Sequence, residues 1–249
     1  VVSGALAIFR RELLGLWVTP LAWVMLVVFL LIQGLSFYSI VVHVSSMTSA
    51  SIDSGPVQAY FGQSIFLLVS LLLVCPALTM RVFAEERKSG TIEALLTAPV
   101  TPLGVVLGKY LATLATYVAM WLPTLLYILI LRNTGQVDWR VVGSSYLGVL
   151  GVGAGYLAVG TLMSAMTKSQ LTAFVLTMLV IFGLFILGIG EYVFDAGMLR
   201  DLSAHVSVLS QMDEMAKGVV DLRRLVFDGS LVVFPLFVTV RVVDSWRWG

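Results

Sequence analysis

Charged positions divide this chain into blocks of membrane length rather than of core length. No Asp, Glu, Lys or Arg occurs between Glu12 and Asp53, and residues 21–42 are the densest apolar part of that run. Asp53 and Arg81 bracket a second run, 57–80. Lys109 to Arg132 holds a third, which is expected to begin earlier and cover 103–131. Arg140 to Lys168 holds a fourth (141–167), and Lys168 to Glu191 a fifth (169–190). Each is long enough for a helix to cross a hydrocarbon core, which takes about 20 residues. Helix is the expected form, because lipid offers unpaired backbone groups no partner. The last run is shorter. Gly229 to Val240 carries no charge, and 225–243 reaches crossing length with Asp228 near one interface and Arg241 near the other. A re-entrant helix is the alternative there.

Composition sharpens this reading. Of 249 residues 59% are hydrophobic and only 12% charged, with mean hydropathy +1.00. A soluble domain carries about 25% charged residues, so a soluble enzyme and a disordered chain are excluded. A formal net charge of +1 supplies no basic field for a phosphate backbone, which excludes a nucleic-acid binder. One cysteine, Cys75, and two distant histidines, His43 and His205, give no disulfide framework or metal-ligand spacing. Cys75 next to Pro76 reads as a packing residue beside a kink.

Orientation follows from where Lys and Arg fall in alternate loops. With the N-terminus inside, nine basic residues lie inside and six outside, and four of the six belong to the long 191–228 segment. Both termini are therefore expected in the cytoplasm. An even number of spans keeps Arg241 and Arg247 on the same side, which supports a sixth crossing. The first twenty residues are not expected to be a signal peptide, because Arg10, Arg11 and Glu12 interrupt the apolar run. Leu6, Phe9, Leu13, Leu16 and Trp17 recur at helical spacing, which predicts an amphipathic helix in the inner interface. Thr19-Pro20 would end it. The first residue is valine, so further residues are expected before it.

The spans show no relay chemistry. No charged residue lies in the middle of any predicted crossing, whereas ion-coupled transporters need such groups. No H-E-x-x-H or G-x-S-x-G occurs. Gly104-Val-Val-Leu-Gly108-Lys109 imitates a phosphate-binding loop but is one residue short between its glycines, and Tyr110 replaces the Ser or Thr. It reads instead as a small-residue packing face, with Lys109 snorkelling to the headgroups. The fourth span holds Gly143, Gly148, Gly151, Gly153, Gly155 and Gly160. Gly151 and Gly155 could pack within the subunit or against a second copy, and spacing favours neither.

Loop 81–102 is the most informative segment. Six of the 29 charges fall between Arg81 and Glu93. Thr91 is a candidate N-cap with Glu93 in the first turn. Ile92, Leu95 and Leu96 share one face, and Ala98 before Pro99 stops the helix. A helix this short is unstable alone and needs a groove. The inner ends of its own spans or another protein could supply it.

The stretch FAEERKSGTIEALLTAPVTPLGVVLGKYLATL resembles the membrane permeases of type-2 ABC exporters, and the gliding-motility (GldF-like) branch in particular. The C-terminal stretch SVLSQMDEMAKGVVDLRRLVFDGSLVVFPLFVTVRVVDSWRWG resembles the ending of that branch, from which Asp228 and the final Gly249 depart. In such permeases this loop is a coupling helix that engages a separate ATP-binding subunit. Glu85, Glu86, Arg87, Gly90, Thr91, Glu93, Leu95, Leu96 and Pro99 match the family pattern, and the resemblance makes them, with Lys88 and Ile92 between them, the partner-binding set. It implies two ATP-binding subunits carrying ATP and Mg, a second permease copy or a related permease, and a place for an extracytoplasmic accessory subunit. No cofactor and no catalytic residue is expected in this chain.

In 191–224, Leu202, Val206, Leu209, Met212, Ala216 and Val219 recur at helical spacing among charges, predicting an amphipathic outer segment. The expectation is one all-α integral membrane domain of six transmembrane helices, with an N-terminal interfacial helix, a cytoplasmic coupling helix and an extracytoplasmic helical segment before the last span. By resemblance it is the multi-pass permease subunit of an ATP-driven exporter in a bacterial cytoplasmic membrane. The alternatives are a membrane scaffold or mechanosignalling subunit of a larger machine, and an ion-coupled secondary transporter.

Overall fold

A computed structural model describes residues 2–46, 55–62, 64–91, 100–134, 137–194 and 197–246. Among them every regular element is helical. Six helices are long and apolar enough to cross a membrane, so the chain is an all-α integral membrane protein.

Helix α1 (Val2–Val18) ends where the Thr19 hydroxyl donates back to the carbonyls of Gly15 and Leu16. Pro20 then opens α2 (Pro20–Ser46). The indole of Trp23 donates to the Trp17 carbonyl at 2.9 Å and packs edge-on against the Trp17 ring, which fixes the corner. The run expected as 57–80 is divided. A short α3 (Pro56–Phe61) precedes Gly62, and α4 (Ile65–Thr79) begins after Ser64. Turns over 80–83 lead to α5 (Ala84–Ser89), which Gly90 terminates in the left-handed region at φ 72°. That conformation costs glycine little, which is why a helix ends there.

The third crossing is α6 (Pro102–Trp121), a 3₁₀ turn over Leu122–Thr124 that contains Pro123, and α7 (Leu125–Thr134). Helix α8 (Trp139–Met166) and α9 (Gln170–Val193) are the fourth and fifth. Two short helices follow, α10 (Met198–Val206) and α11 (Val208–Met215), and α12 (Leu222–Ser245) is the sixth. Polar side chains cap the starts of four crossings: Thr101, Asp138, Ser169 and Asp221 each accept from a backbone N–H of the first turn.

Helix α8 is the central post, packed by α12, α4, α9 and α6. Its glycines explain how. A Cβ on Gly151 would lie 3.0 Å from the Asp228 carboxylate, and one on Gly155 2.8 Å from Leu231, both on α12. Gly148 faces Met212 and Met215 of α11, Gly153 faces Tyr117 of α6, and Gly160 faces Thr79 of α4. Every one of these approaches lies within the subunit, so Gly151 and Gly155 are used for internal close packing.

Helix α12 starts at Leu222 and thereby takes in Arg224 and Asp228, both buried. Both lie within its first two turns, so the middle of this crossing carries no charge. Asp228 accepts from the Gln211 amide at 2.6 Å, and Arg224 donates to the Ser207 carbonyl and to Glu214 at 2.9 Å. These contacts, with the Ser144 hydroxyl donating to the Met215 carbonyl, hold α11 between α8 and α12. The buried face of α11 is Val208, Gln211, Met212 and Met215, whereas α10 buries no residue fully.

Candidate functional site

The loop after α4 is fastened to the membrane helices before it reaches the segment that would meet a partner. Ser164 of α8 does the first part. Its hydroxyl oxygen accepts from the backbone N–H groups of Phe83 (3.0 Å) and Ala84 (3.1 Å). These are the orphan donors at the start of α5, and they have no partner within their own helix. A side chain 80 residues away thus caps α5.

Glu86 and Arg87 then point to different parts of the body. Glu86 Oε1 receives the Arg11 guanidinium of α1 at 3.0 Å and the Lys109 ammonium of α6 at 3.0 Å. Arg87 donates to the Ala165 carbonyl at 2.7 Å. That carbonyl lies at the C-terminal end of α8, where partial negative charge gathers. The guanidinium of Arg87 also lies 4.8 Å from the Trp246 ring, and Phe83 meets the same ring edge-on. One short helix is therefore tied to α1, α6, α8 and the end of α12.

Lys109 is the centre of the cluster. It is 2% exposed, and its ammonium donates to Glu12 (3.0 Å) and the Val82 carbonyl (2.9 Å) and pairs with the Glu86 carboxylate at 3.0 Å, with the Phe83 ring 5.3 Å away. This overturns the expectation that Lys109 snorkels to the headgroups. A buried ammonium needs its full set of acceptors, and two carboxylates and a carbonyl supply it. Burial works to raise the Glu12 carboxyl, yet the charge of Lys109 and the hydrogen bond from Arg11 hold it below its ordinary range.

The inner face of α1 also differs from the expected stripe. Of the expected residues Phe9, Leu13, Leu16 and Trp17 are half-buried and Leu6 is exposed, while Ile8, outside the stripe, is buried. Glu12 lies one turn on from Ile8 and reaches Lys109. Gly104 and Gly108 of α6 receive this face: a Cβ on Gly108 would lie 2.9 Å from the Ala5 carbonyl oxygen. The small-residue pair is a packing face, and α1 is what it packs.

The set expected to bind a partner divides accordingly. Glu86 and Arg87 face inward. Glu85 pairs with Arg81 at 2.8 Å and keeps a side chain 46% exposed. Lys88, Ser89, Gly90 and Thr91 are exposed, with the Ser89 and Thr91 hydroxyls 2.9 Å apart. Ile92, Glu93, Leu95, Leu96 and Pro99, and with them the helix expected after Thr91, lie outside the described residues. Sequence reasoning missed Glu12, Lys109, Ser164 and Trp246 as parts of this assembly. The signal for Glu12 and Lys109 was the presence of opposite charges at one predicted interface.

Among the described residues no group of His, Cys, Asp and Glu is placed to hold a metal. Over residues 33–206 the sequence matches the family described as ABC-2 family transporter protein. The chain belongs to this ABC-2 family. The match runs from within α2 to the end of α10. The ABC-2 chain is thus a non-catalytic transmembrane permease subunit of an ABC transporter, a multi-pass membrane protein of a family that works with an ATP-binding partner. No curated protein matches the chain in sequence.

Proposed function

We propose that this permease is the membrane subunit of an ATP-driven exporter, and that loop 81–102 receives motion from a separate ATP-binding subunit. The observation that carries this reading is the division of labour on α5. Adjacent residues Glu86 and Arg87 grip opposite parts of the bundle, while Glu85, Lys88, Ser89, Gly90 and Thr91 stay available on its outer side. A partner that displaces the loop pulls on α1, α6 and α8 together. Such coupling requires two discrete arrangements of the bundle, biased differently by the nucleotide state.

In this reading Ile92, Glu93, Leu95, Leu96 and Pro99 complete the contact with the ATP-binding subunit, which carries ATP and Mg. Two such subunits serve two permease copies, or this permease and a related one. Both termini and α5 lie on the cytoplasmic side of a bacterial inner membrane, and α10 and α11 lie outside, where an accessory subunit can join. The C-terminal stretch favours the gliding-motility branch. Asp228 does not make the chain an ion-coupled carrier in this account, since its carboxylate holds Gln211 of α11.

The test is to recover the permease from native membranes with its ATP-binding subunit. Replacing Lys88 and Thr91 by Glu should reduce recovery of that subunit. Glu86→Gln and Arg87→Gln should leave recovery intact and uncouple ATP hydrolysis from transport. Normal transport in a preparation that contains no nucleotide-hydrolysing subunit would refute the proposal.

A further inference from the structure

Helices α6 and α12 lie side by side and leave an apolar groove of about 540 Å³ between the start of α6 and the second half of α12. Its walls are Leu103 and Leu107 on one side and Val233, Leu236, Phe237 and Val240 on the other. Val233 and Asp244 are eleven positions apart, or about 16 Å along the helix. That is roughly half of a hydrocarbon core of about 30 Å, so the groove is as deep as one leaflet. It lies open along the side of the bundle, where Leu103, Val233 and Phe237 are each more than half exposed.

The mouth of the groove carries both signs of charge. Arg241 and Asp244 line it, one turn apart on α12. The Arg241 guanidinium rests 5.3 Å from the Phe237 ring. Among the described residues neither side chain makes an ion pair or side-chain hydrogen bond. A guanidinium and a carboxylate held separately at headgroup level match a zwitterion. A guanidinium forks onto a phosphate, and a carboxylate accepts from a primary ammonium. An anionic headgroup without an amine would satisfy Arg241 and be repelled by Asp244. A quaternary ammonium has no N–H to donate.

We propose that this groove binds one phospholipid with a primary-amine headgroup, from the leaflet on the side of α5. Its phosphate sits on Arg241, its ammonium on Asp244, and one acyl chain lies between α6 and α12. The site requires only that these two helices cross the membrane together, so it stands or falls apart from the direction of transport and from ATP coupling. A bound lipid there bridges the start of α6, seven residues before Lys109, to the end of α12, next to Trp246.

The test places the full chain in nanodiscs of phosphatidylethanolamine, phosphatidylcholine and phosphatidylglycerol in equal amounts. The lipids that stay bound through repurification are then counted by mass spectrometry. Phosphatidylethanolamine should be retained roughly tenfold over the other two, the effect of one charge-assisted hydrogen bond. Asp244→Asn should remove that advantage, Arg241→Gln should lower retention of all three lipids, and Val233→Trp should lower all three by filling the groove. Thermal unfolding of each variant identifies any that misfold, and the single-atom change in Asp244→Asn keeps the test decisive. Equal retention of the three lipids, a preference for phosphatidylglycerol, or a preference unmoved by Asp244→Asn would overturn the site. So would a disulfide between two copies carrying Val233→Cys, which would put a second permease in the groove.

Discussion

Lys109 on α6 and Glu86 on α5 meet at 3.0 Å with the ammonium buried, and a second carboxylate, Glu12 of α1, meets the same nitrogen at 3.0 Å. Breaking a buried pair from one side is costly because the other side keeps its uncompensated charge, about 3–5 kcal/mol. Lys109→Met should therefore destabilise the permease by roughly that amount, read as a fall in the thermal midpoint in detergent. Lys109→Met combined with Glu12→Gln and Glu86→Gln should recover part of the loss. If the triple variant is no better than Lys109→Met alone, the carboxylates do not depend on Lys109 as described.

Glu12 gives this cluster an acid limit. Its carboxyl is held below the ordinary range in the folded protein, so the folded state favours the charged form. The resulting stability is complete above the ordinary glutamate value of about 4.3. It is lost as pH falls through the lower folded value. Wild-type permease should lose stability below that pH more steeply than Glu12→Gln, which has no proton to take up at this position. Thermal midpoints of both proteins between neutral pH and pH 3 make the comparison, and parallel curves would remove Glu12 from the linkage.

The glycines of α8 make a prediction about assembly. Gly151 and Gly155 meet Asp228 and Leu231 of the same chain, so Gly155→Leu overpacks the α8–α12 seam. Overpacking costs typically about 1–3 kcal/mol. The thermal midpoint should fall while the number of permease copies per particle, measured by light scattering, stays the same. A change in copy number without a change in midpoint would move these glycines to an intersubunit contact.

Much of this architecture is legible in the chain because lipid leaves few choices. Runs such as 169–190 are long, apolar and uninterrupted, and their helices follow from length alone. The ends of the crossings carry less information. Arg224 and Asp228 look like interface charges in sequence, because nothing there shows that Gln211 and Glu214 fold back to receive them. Lys109 misleads for the same reason: snorkelling is the default for a lone lysine near a span end, and its two carboxylates come from residues 97 and 23 positions away. Glu86 and Arg87 belong to a recognisable loop motif, but a motif does not say which side chains face the body and which face out. The packing role of Gly104 and Gly108 could be read from spacing, whereas their partner α1 could not.

Asp228 separates ATP-driven from ion-driven transport. Asn is nearly the same shape, and its amide oxygen still accepts from the Gln211 amide, so α11 should stay in place. An asparagine cannot carry a proton. In the ATP-driven reading, Asp228→Asn should keep close to wild-type transport and keep its indifference to ionophores. Loss of transport with an unchanged thermal midpoint would make Asp228 a relay and favour the ion-coupled alternative. Asp228→Leu removes the acceptor and leaves the Gln211 amide unpaired, at a cost of about 1–3 kcal/mol. It should loosen α11, detected as faster proteolysis of the 207–221 segment.

The two ends of the molecule are predicted to lie on opposite sides of the membrane. Ser89 is exposed at the end of α5, and the Lys217 side chain is half exposed after α11. Gln211 would be a poor reporter, since it is 3% exposed and bonded to Asp228. The native thiol, Cys75, is fully buried, so a cysteine introduced at either site can be read without removing it. Between Ser89 and Lys217 the chain passes through α6–α7, α8 and α9. Three crossings put those residues on opposite faces, whereas two or four would put them on the same face. In intact cells an impermeant maleimide should label Lys217→Cys, and should label Ser89→Cys only after the membrane is opened. Labelling of both from outside would break the three-crossing path. Labelling of Ser89→Cys alone would keep the path but invert it, placing α5 where no ATP-binding subunit can reach.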